Sequence, residues 1–409
     1  MEKNKNLKPR VILSKIAEMQ TINEDGSVSF SGFEYHEIMA VLHNMVDFSK
    51  CAHDIEQHSV VHTAVSNVAK LGDLTESLVI EEVNKQIRTN LNKREEKYFL
   101  LTSISIKKPY PFSRLEIDGC TIRILTFHYP KKYINRQNAL RHLEHDIEAS
   151  PTSYAKVIVA VHSKSEKGAA TKALNALDVA RSVLCLFANS SMEIIGDPIN
   201  PINNVRLGGA HTIHSKNGKA HEACCWFEPN FKKANTFKPN NINTFKSNTK
   251  WFLKQLNKSN YSNILKSSLL RFVRALDEKD KNIALLRLWG ALEELACPDG
   301  ANYDLVIRRV SFLFLERDYH KQVLEHLREY RNSNVHAGDE SDKAKSHCFQ
   351  LQFFYYELIL FHIKNATYFT SLEEANNFLD LPSNIKALEN KKKLIEKAIK
   401  FVTPPDEIS

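Results

Sequence analysis

The chain lacks several patterns that identify common protein classes. It has 12 glycines in 409 residues and no Gly-rich phosphate-binding fingerprint. Its 7 cysteines include no CxxC spacing, and an odd, scattered set favours a reducing compartment over a disulfide framework. No apolar segment follows the charged N-terminus, and the apolar stretch 353–363 is interrupted and too short to span a bilayer. These absences predict a cytoplasmic globular protein with no membrane partner and no cofactor.

The pattern of apolar residues changes near residue 230. Before that point, strand-like runs at 98–106, 115–129 and 154–162 alternate with helical spacing at 34–55, 74–91 and 167–188. After it, nearly all of the chain has helical spacing, with short connections that make consecutive helices antiparallel neighbours. The fold class predicted is therefore an α+β N-terminal domain followed by an all-α C-terminal antiparallel helix bundle.

Composition divides the chain further. We predict a mixed α/β domain over 1–230, a Lys/Asn-rich linker over 231–258, a helical bundle over 259–382, and a basic C-terminal helix and tail over 383–409. Within the bundle, the predicted helices are 264–277, 280–297, 303–315, 319–330 or beyond, and 341–366.

Charge is concentrated in the segment 231–258. It carries seven lysines and no acid, with aromatic residues interleaved, and the net charge of the whole chain is +8. Such a segment could follow a phosphate backbone while its rings stack on exposed bases. It could equally be a solvated linker leading into a helix. The candidate RNA-binding residues are Lys232, Lys233, Lys238, Lys246 and Lys250.

A hairpin rich in His and Cys was considered as a metal site. Asn217-Gly218 favours a two-residue turn, which places His214 opposite His221 and His211 opposite Cys224. Because side chains alternate along strands, these two pairs point to opposite faces and cannot surround one zinc ion unless a bulge rotates one pair. We therefore predict no metal site.

The segment from Tyr330 to Gly338 combines Arg331, Asn332 and His336 at the end of a predicted helix. Arginine binds phosphate through a forked, permanent charge, and histidine exchanges protons near neutral pH. RNA cleavage through the 2'-hydroxyl needs a cation that binds the phosphate and a group that transfers protons. An arginine and a histidine at the same spacing also occur at 123/128 and 206/211. The first pair lies within a predicted strand, where side chains five residues apart face opposite sides, and the second spans a Gly-Gly pair. Only the pair at 331/336 closes a long helical segment.

A second predicted helix supplies a partner for this segment. It contains Trp289 at a core position and two acids, Glu293 and Glu294, one of which must lie close to the apolar face and could orient Arg331 or His336. Alternatively, both glutamates are solvated. We take Glu293 as the candidate. Five residues on a continuous helix turn through about 140°, so Arg331 and His336 converge only if the helix unwinds or a second subunit contributes. Ser333 and Asn334 favour unwinding because their side chains compete for backbone hydrogen bonds.

Together, Trp-x-Ala-Leu-Glu in one helix and Tyr-Arg-Asn-x3-His in a later one resemble the HEPN superfamily, most closely its Apea-like branch, over roughly residues 250–380. The resemblance implies a metal-independent endoribonuclease whose bundles dimerise to build a composite site. His336 would act as general base or acid, Arg331 would stabilise the phosphate, and Asn332 would hold the geometry. Glu293 and Tyr330 are the supporting residues.

The same resemblance implies RNA, including tRNA, as the substrate, and a role in antiviral defence or toxin-type growth arrest. The partners would be RNA, a second copy of the chain, and a phage-derived trigger or an antitoxin. Residues 1–230 would then sense the trigger or present RNA. Two other functions remain open: a non-catalytic module that binds RNA or a nucleotide, and a protein-interaction adaptor.

Overall fold

The computed structural model describes residues 7–32, 34–48, 55–141, 151–189, 201–300, 302–337 and 343–402, and at 222–223 and 334–337 only the backbone. It begins with a helical unit that has its own core. This unit contains α1 (Pro9–Glu18), the hairpin β1 (Gln20–Ile22) and β2 (Val28–Phe30), α2 (Glu34–Met45), α3 (Gln57–Ala69) and α4 (Glu76–Leu91). Valines at helical spacing on α3 bury one side of that helix in the core.

The helices predicted in this unit are correct to different degrees. The helix expected over 74–91 is confirmed by α4. The helix expected over 34–55 is longer than the observed helix, because α2 ends at Met45. The chain turns there toward α3, and His43 stacks on His58 with ring centroids 3.6 Å apart. Residues 49–54 of that predicted helix lie outside the described residues.

A six-stranded sheet follows, in which every pair of neighbouring strands is antiparallel. Its order is β4 (Arg114–Ile117), β5 (Cys120–Leu125), β6 (Ala155–Ser163), β3 (Glu96–Ile104), β7 (Ala210–His214) and β8 (Ala220–Phe227). The central strand β3 pairs with β6 along its whole length, from Glu96 opposite Ser163 to Ile104 opposite Ala155. A short helix, α5 (Arg136–Arg141), packs against β7 and β8. The strands predicted at 98–106 and 154–162 correspond to β3 and β6. The run predicted at 115–129 forms two strands, β4 and β5, because Asp118 and Gly119 take positive φ angles and turn the chain back, and β5 ends at Leu125.

Helix α6 (Glu166–Ala188) joins the sheet to the rest of the molecule. Ser165 begins it by accepting a hydrogen bond from the Gly168 amide. One side of α6 packs on the sheet and another on α8, so its second half is buried nearly all round, including Asp178 and Arg181. The helix predicted over 167–188 is confirmed.

The C-terminal half is helical. It comprises α7 (Ile242–Lys258), α8 (Ser262–Asp277), α9 (Lys281–Ala296), α10 (Tyr303–Ser311), α11 (Arg317–Ala337), α12 (Ala344–Lys364), α13 (Leu372–Leu379) and α14 (Ile385–Val402). Helix α9 packs against both α8 and α12, and Asp280 and Asn302 cap the starts of α9 and α10. The chain therefore has a sheet-containing N-terminal region and a helical C-terminal half. The sequence did not predict α13.

The segment expected to be a linker is largely a packed helix. Its residues from Ile242 onward form α7, whose buried side chains include Phe245, Phe252 and Leu256. Apolar residues at helical spacing gain more from burial than the lysines on the opposite side lose, because those lysines stay in solvent. One continuous core extends from Tyr98 of β3 to Leu379 of α13, so packing does not break at residue 230.

The predicted register of the β7–β8 hairpin is wrong. His214 lies opposite Ala220, and His211 lies opposite Trp226, with a register shift between Thr212 and His214. Ser215 and Lys219 close a three-residue loop, in which Gly218 takes a φ of 92°. A three-residue loop with glycine in the left-handed region changes the pairing that a two-residue turn would set.

The two buried histidines of β7 have protein partners. His214 bonds the Gly218 carbonyl and the Thr212 hydroxyl, both at 2.9 Å, and His211 stacks on Trp226. Burial lowers the pKa of His211 to about 3 and that of His214 to about 4, so both are neutral. Within the described ranges, no group of three or more His, Cys, Asp or Glu could hold a metal ion, and no helix could span a bilayer.

Candidate active site

Helix α11 carries the candidate motif. Leu324 and Leu327 anchor it in the core, and it packs on α9 and α10. The helix continues through Ala337, so the unwinding expected across 332–335 does not occur. Packing of the preceding turns sustains the helix through residues of poor helix propensity. Gly338, the expected stop, lies outside the described residues.

Arg331 is half-buried between α11 and α10. Its guanidinium carbon lies 4.8 Å from the centre of the Tyr303 ring, a cation–π distance. Its Nη1 donates to Asn332 Oδ1 at 3.2 Å. The Nε atom is buried and has no hydrogen-bond acceptor among the described residues. Two neighbours thus position the guanidinium and leave part of its hydrogen-bonding capacity unused.

An acid from α9 lies on the same side of the bundle. Trp289 is fully buried, as predicted for a core residue, and its indole N–H donates to Glu293 Oε1 at 2.9 Å. Burial raises the pKa of the Glu293 carboxyl, while the Trp289 hydrogen bond and the nearby positive charge of Arg331 act against that rise. The Tyr303 ring lies edge-on to Trp289 at 6.2 Å. The structure therefore brings together Glu293 and Arg331, as the sequence suggested.

Tyr330 faces a different part of the bundle. Its hydroxyl donates to Asn282 Oδ1 at 2.9 Å, which ties α11 to the first turn of α9. Its ring lies 4.5 Å from the ring of His347 on α12, and His347 lies 5.1 Å from His326. Burial lowers the pKa of His347. Tyr330 therefore helps to hold α11 against α9 and α12.

The sequence analysis did not identify four of these neighbours: Tyr303, Asn282, His347 and His326. For His326 there was a usable signal, because it precedes Tyr330 by one helical turn and shares its side of α11. Tyr303 and His347 come from other helices, and nothing in their local sequence links them to the motif. Only the packing of α10 and α12 brings them there.

His336 lies on the helical backbone of α11, five positions after Arg331, and its side chain is outside the described residues. On a continuous helix, backbone positions five residues apart are separated by about 140° around the helix axis.

The candidate RNA-binding lysines lie elsewhere. Lys246 and Lys250 are exposed on α7, where Lys254 and Lys258 extend the same i, i+4 row. Lys233 and Lys238 are exposed before the helix, whereas Lys232 is half-buried. Helix α7 packs against α6, α8 and α12, while α11 packs against α9 and α10. The lysine row and the motif thus belong to different parts of the helical half.

No protein-family model matches this chain, and comparisons with curated proteins and with solved structures find no significant match.

Proposed function

We propose that this protein is a metal-independent endoribonuclease that cleaves RNA by attack of the 2'-hydroxyl. The observation that supports this most is the setting of Arg331. Its guanidinium lies over Tyr303 beside Glu293, its Nε has no acceptor within the part of the chain that the structure describes, and it belongs to the same helix as His336. A partly buried cation with unused donors suits a phosphate ligand.

The proposed chemistry assigns one task to each residue. His336 takes the proton from the 2'-hydroxyl, the 2'-oxygen bonds to phosphorus, and the 5'-oxygen leaves with a proton from a general acid. Arg331 stabilises the negative charge that develops on the phosphate oxygens, and Asn332 fixes the guanidinium through its side-chain oxygen. The products are a 2',3'-cyclic phosphate and a 5'-hydroxyl. Glu293 orients Arg331, and Tyr330 fixes α11 against α9.

The active form in this proposal is a homodimer. Because α11 is continuous, Arg331 and His336 of one copy diverge, and a second α11 facing the first supplies the complementary group. In a cell, such an enzyme would act in antiviral defence or as a growth-arresting toxin, with tRNA among its targets. A phage-derived trigger or an antitoxin would regulate it, and residues 1–230 would sense the trigger or present RNA.

The decisive experiment compares cleavage of total RNA in EDTA by wild type, Arg331→Ala and His336→Ala. The chain offers a matched control with the same spacing, Arg123→Ala and His128→Ala, because both residues are exposed outside the bundle. We expect cleavage by wild type and both controls and none by the motif variants. Binding of RNA without cleavage by wild type would refute the enzyme. Cleavage that disappears in EDTA would refute metal independence.

A second candidate function is RNA binding without cleavage. The exposed row of Lys246, Lys250, Lys254 and Lys258, with no acid in α7, favours it. Substituting Lys246 and Lys250 with Gln would then weaken RNA binding and flatten its salt dependence. In that case Arg331→Ala and His336→Ala would leave RNA binding unchanged and no variant would cleave.

A further inference from the structure

A cavity of about 700 Å³ lies at the junction of the sheet-containing region and the bundle, away from α11. The C-terminal end of α6, the first turns of α7 and the middle of α12 enclose it. Its volume is within the range of sites that hold a small organic molecule. The proposed ribonuclease chemistry makes no use of it.

The chemistry of the cavity wall is unusual. Six side-chain amides face it, whereas only two charged side chains, Lys238 and Glu357, do so. The amides are Asn189, Asn204, Asn240, Asn241, Asn248 and Gln352. Aromatic rings, including Phe187, Phe353 and Tyr356, supply much of the remaining surface. An uncharged ligand with flat faces and a hydrogen-bonding edge suits such a wall.

Gln352 provides an independent sign of a missing ligand. Only 6% of this residue is exposed. Its Oε1 accepts a hydrogen bond from Asn189 Nδ2 at 3.0 Å, which fixes the orientation of the amide. Its Nε2 is buried and has no acceptor among the described residues. A buried amide N–H without a partner costs free energy. Because this atom has almost no accessible surface, a ligand acceptor would recover that free energy after a shift of the side chains that cover it.

We propose that this cavity binds a purine nucleoside or its monophosphate. The amide of Asn248 presents a donor and an acceptor side by side, which matches the N6/N7 edge of adenine, whereas Gln352 contributes only its Nε2 donor because Asn189 uses its Oε1. Aromatic faces stack on a base regardless of its sequence context. Lys238 on the rim would contact a phosphate group if one is present. This site does not depend on ribonuclease activity.

Isothermal titration calorimetry on the full chain tests the proposal with adenosine, AMP, uridine and ribose 5-phosphate. We expect one site per chain for adenosine and AMP, weaker binding of uridine, and none of ribose 5-phosphate. Gln352→Leu should weaken adenosine at least about tenfold, because it removes the donor from a buried site. The matched control is Gln137→Leu, an exposed residue on α5, which should bind as wild type.

Two further variants keep the outcome decisive. If Gln352→Leu does not fold, Asn248→Leu on the half-buried side of α7 replaces it with the same expectation. Arg331→Ala should bind adenosine and AMP normally, which separates this cavity from the proposed catalytic site. Absence of adenosine and AMP binding, equal affinity for ribose 5-phosphate, or wild-type affinity in the amide variants would overturn the proposal. Tighter binding of AMP than of adenosine would assign Lys238 to the phosphate.

Discussion

Arg181 and Arg331 are both buried to some degree beside acids, but their surroundings differ. Arg181 donates to Asp178 at 2.8 Å and to Asp277 at 2.6 Å, and its Nη1 donates to the Val205 carbonyl at 3.1 Å. Burial opposes its charge, yet the two carboxylates raise its pKa above the ordinary value. Arg331 instead contacts the Tyr303 ring and the Asn332 amide oxygen, and its Nε has no acceptor among the residues with described side chains.

The difference separates a structural ion network from a candidate reactive one. In the first, carboxylates and a carbonyl use the donors of Arg181, so the network joins α6 to α8 and offers nothing to a ligand. In the second, Glu293 has a pKa raised by burial, and Arg331 retains an unused donor. Incomplete pairing costs stability and is typical of groups that act on a ligand.

The largest expected effect tests whether Arg331, Asn332 and His336 form a functional site. His336→Ala should reduce RNA cleavage by about 10²- to 10⁴-fold, because a placed histidine contributes that much to proton transfer. The measurement is the initial cleavage rate at equal concentrations of folded protein, as judged by circular dichroism. His128→Ala is the control. A reduction smaller than tenfold would argue against proton transfer by His336.

The next effect tests whether the ion network of Arg181, Asp178 and Asp277 stabilises the fold. Arg181→Ala should lower the free energy of unfolding by about 3–5 kcal/mol, since it removes the fully buried cation shared by Asp178 and Asp277 and leaves them only Arg274 and Arg206. Urea denaturation measures it. Arg114→Ala, which removes an exposed ion pair with Glu116, should cost at most about 1 kcal/mol. Equal losses of unfolding free energy in the two variants would mean that the Arg181 network stabilises the fold no more than an exposed ion pair does.

Glu293→Gln addresses the acid beside Arg331. We expect cleavage to fall about tenfold, equivalent to roughly 1.4 kcal/mol, because Arg331 loses an orienting charge. Stability should respond differently. Since the folded-state pKa of Glu293 is raised, its ionisation destabilises the fold as pH rises from about 4.5, the ordinary value, through the raised value. The unfolding free energy of Glu293→Gln should therefore increase relative to wild type across that window, as urea titrations at several pH values would reveal. A difference in unfolding free energy between Glu293→Gln and wild type that stays constant over this pH range would contradict the prediction.

The smallest effect concerns the supporting residue. Tyr330→Phe removes one hydrogen bond to Asn282 and keeps the ring against His347, so unfolding free energy should fall by about 0.5–1.5 kcal/mol. Cleavage should change only a few-fold. Tyr319→Phe, an exposed position on the same helix, is the control. Loss of cleavage as large as that of Arg331→Ala would instead assign the Tyr330 hydroxyl to the reaction.

Dimerisation gives a separate test of the composite site. Specific cleavage activity should fall on dilution below the dimer dissociation constant, because a monomer holds only half of the site. Sedimentation velocity over the same concentrations would show whether the two changes coincide. Activity that is constant across a measured dimer-to-monomer transition would contradict the composite site.

The sequence predicted the features that depend on local spacing. Apolar periodicity located α4, α6, α8 and α9, and it predicted that Glu293 or Glu294 lies close to the apolar face of α9, where Glu293 accepts a hydrogen bond from Trp289. It failed where non-local pairing decides, as in the hairpin register, which a three-residue loop sets. It also failed at α7, where lysine content concealed an apolar side.

By itself, the sequence located those helices whose apolar periodicity is clear, and it showed that Arg331, Asn332 and His336 lie close together at the end of one of them, because helix formation follows local periodicity. Only the tertiary structure decided that this helix continues to Ala337, that Tyr303 lies under Arg331, and that one core joins the sheet to the bundle. These depend on contacts between residues far apart in sequence, whose free energy no local pattern contains.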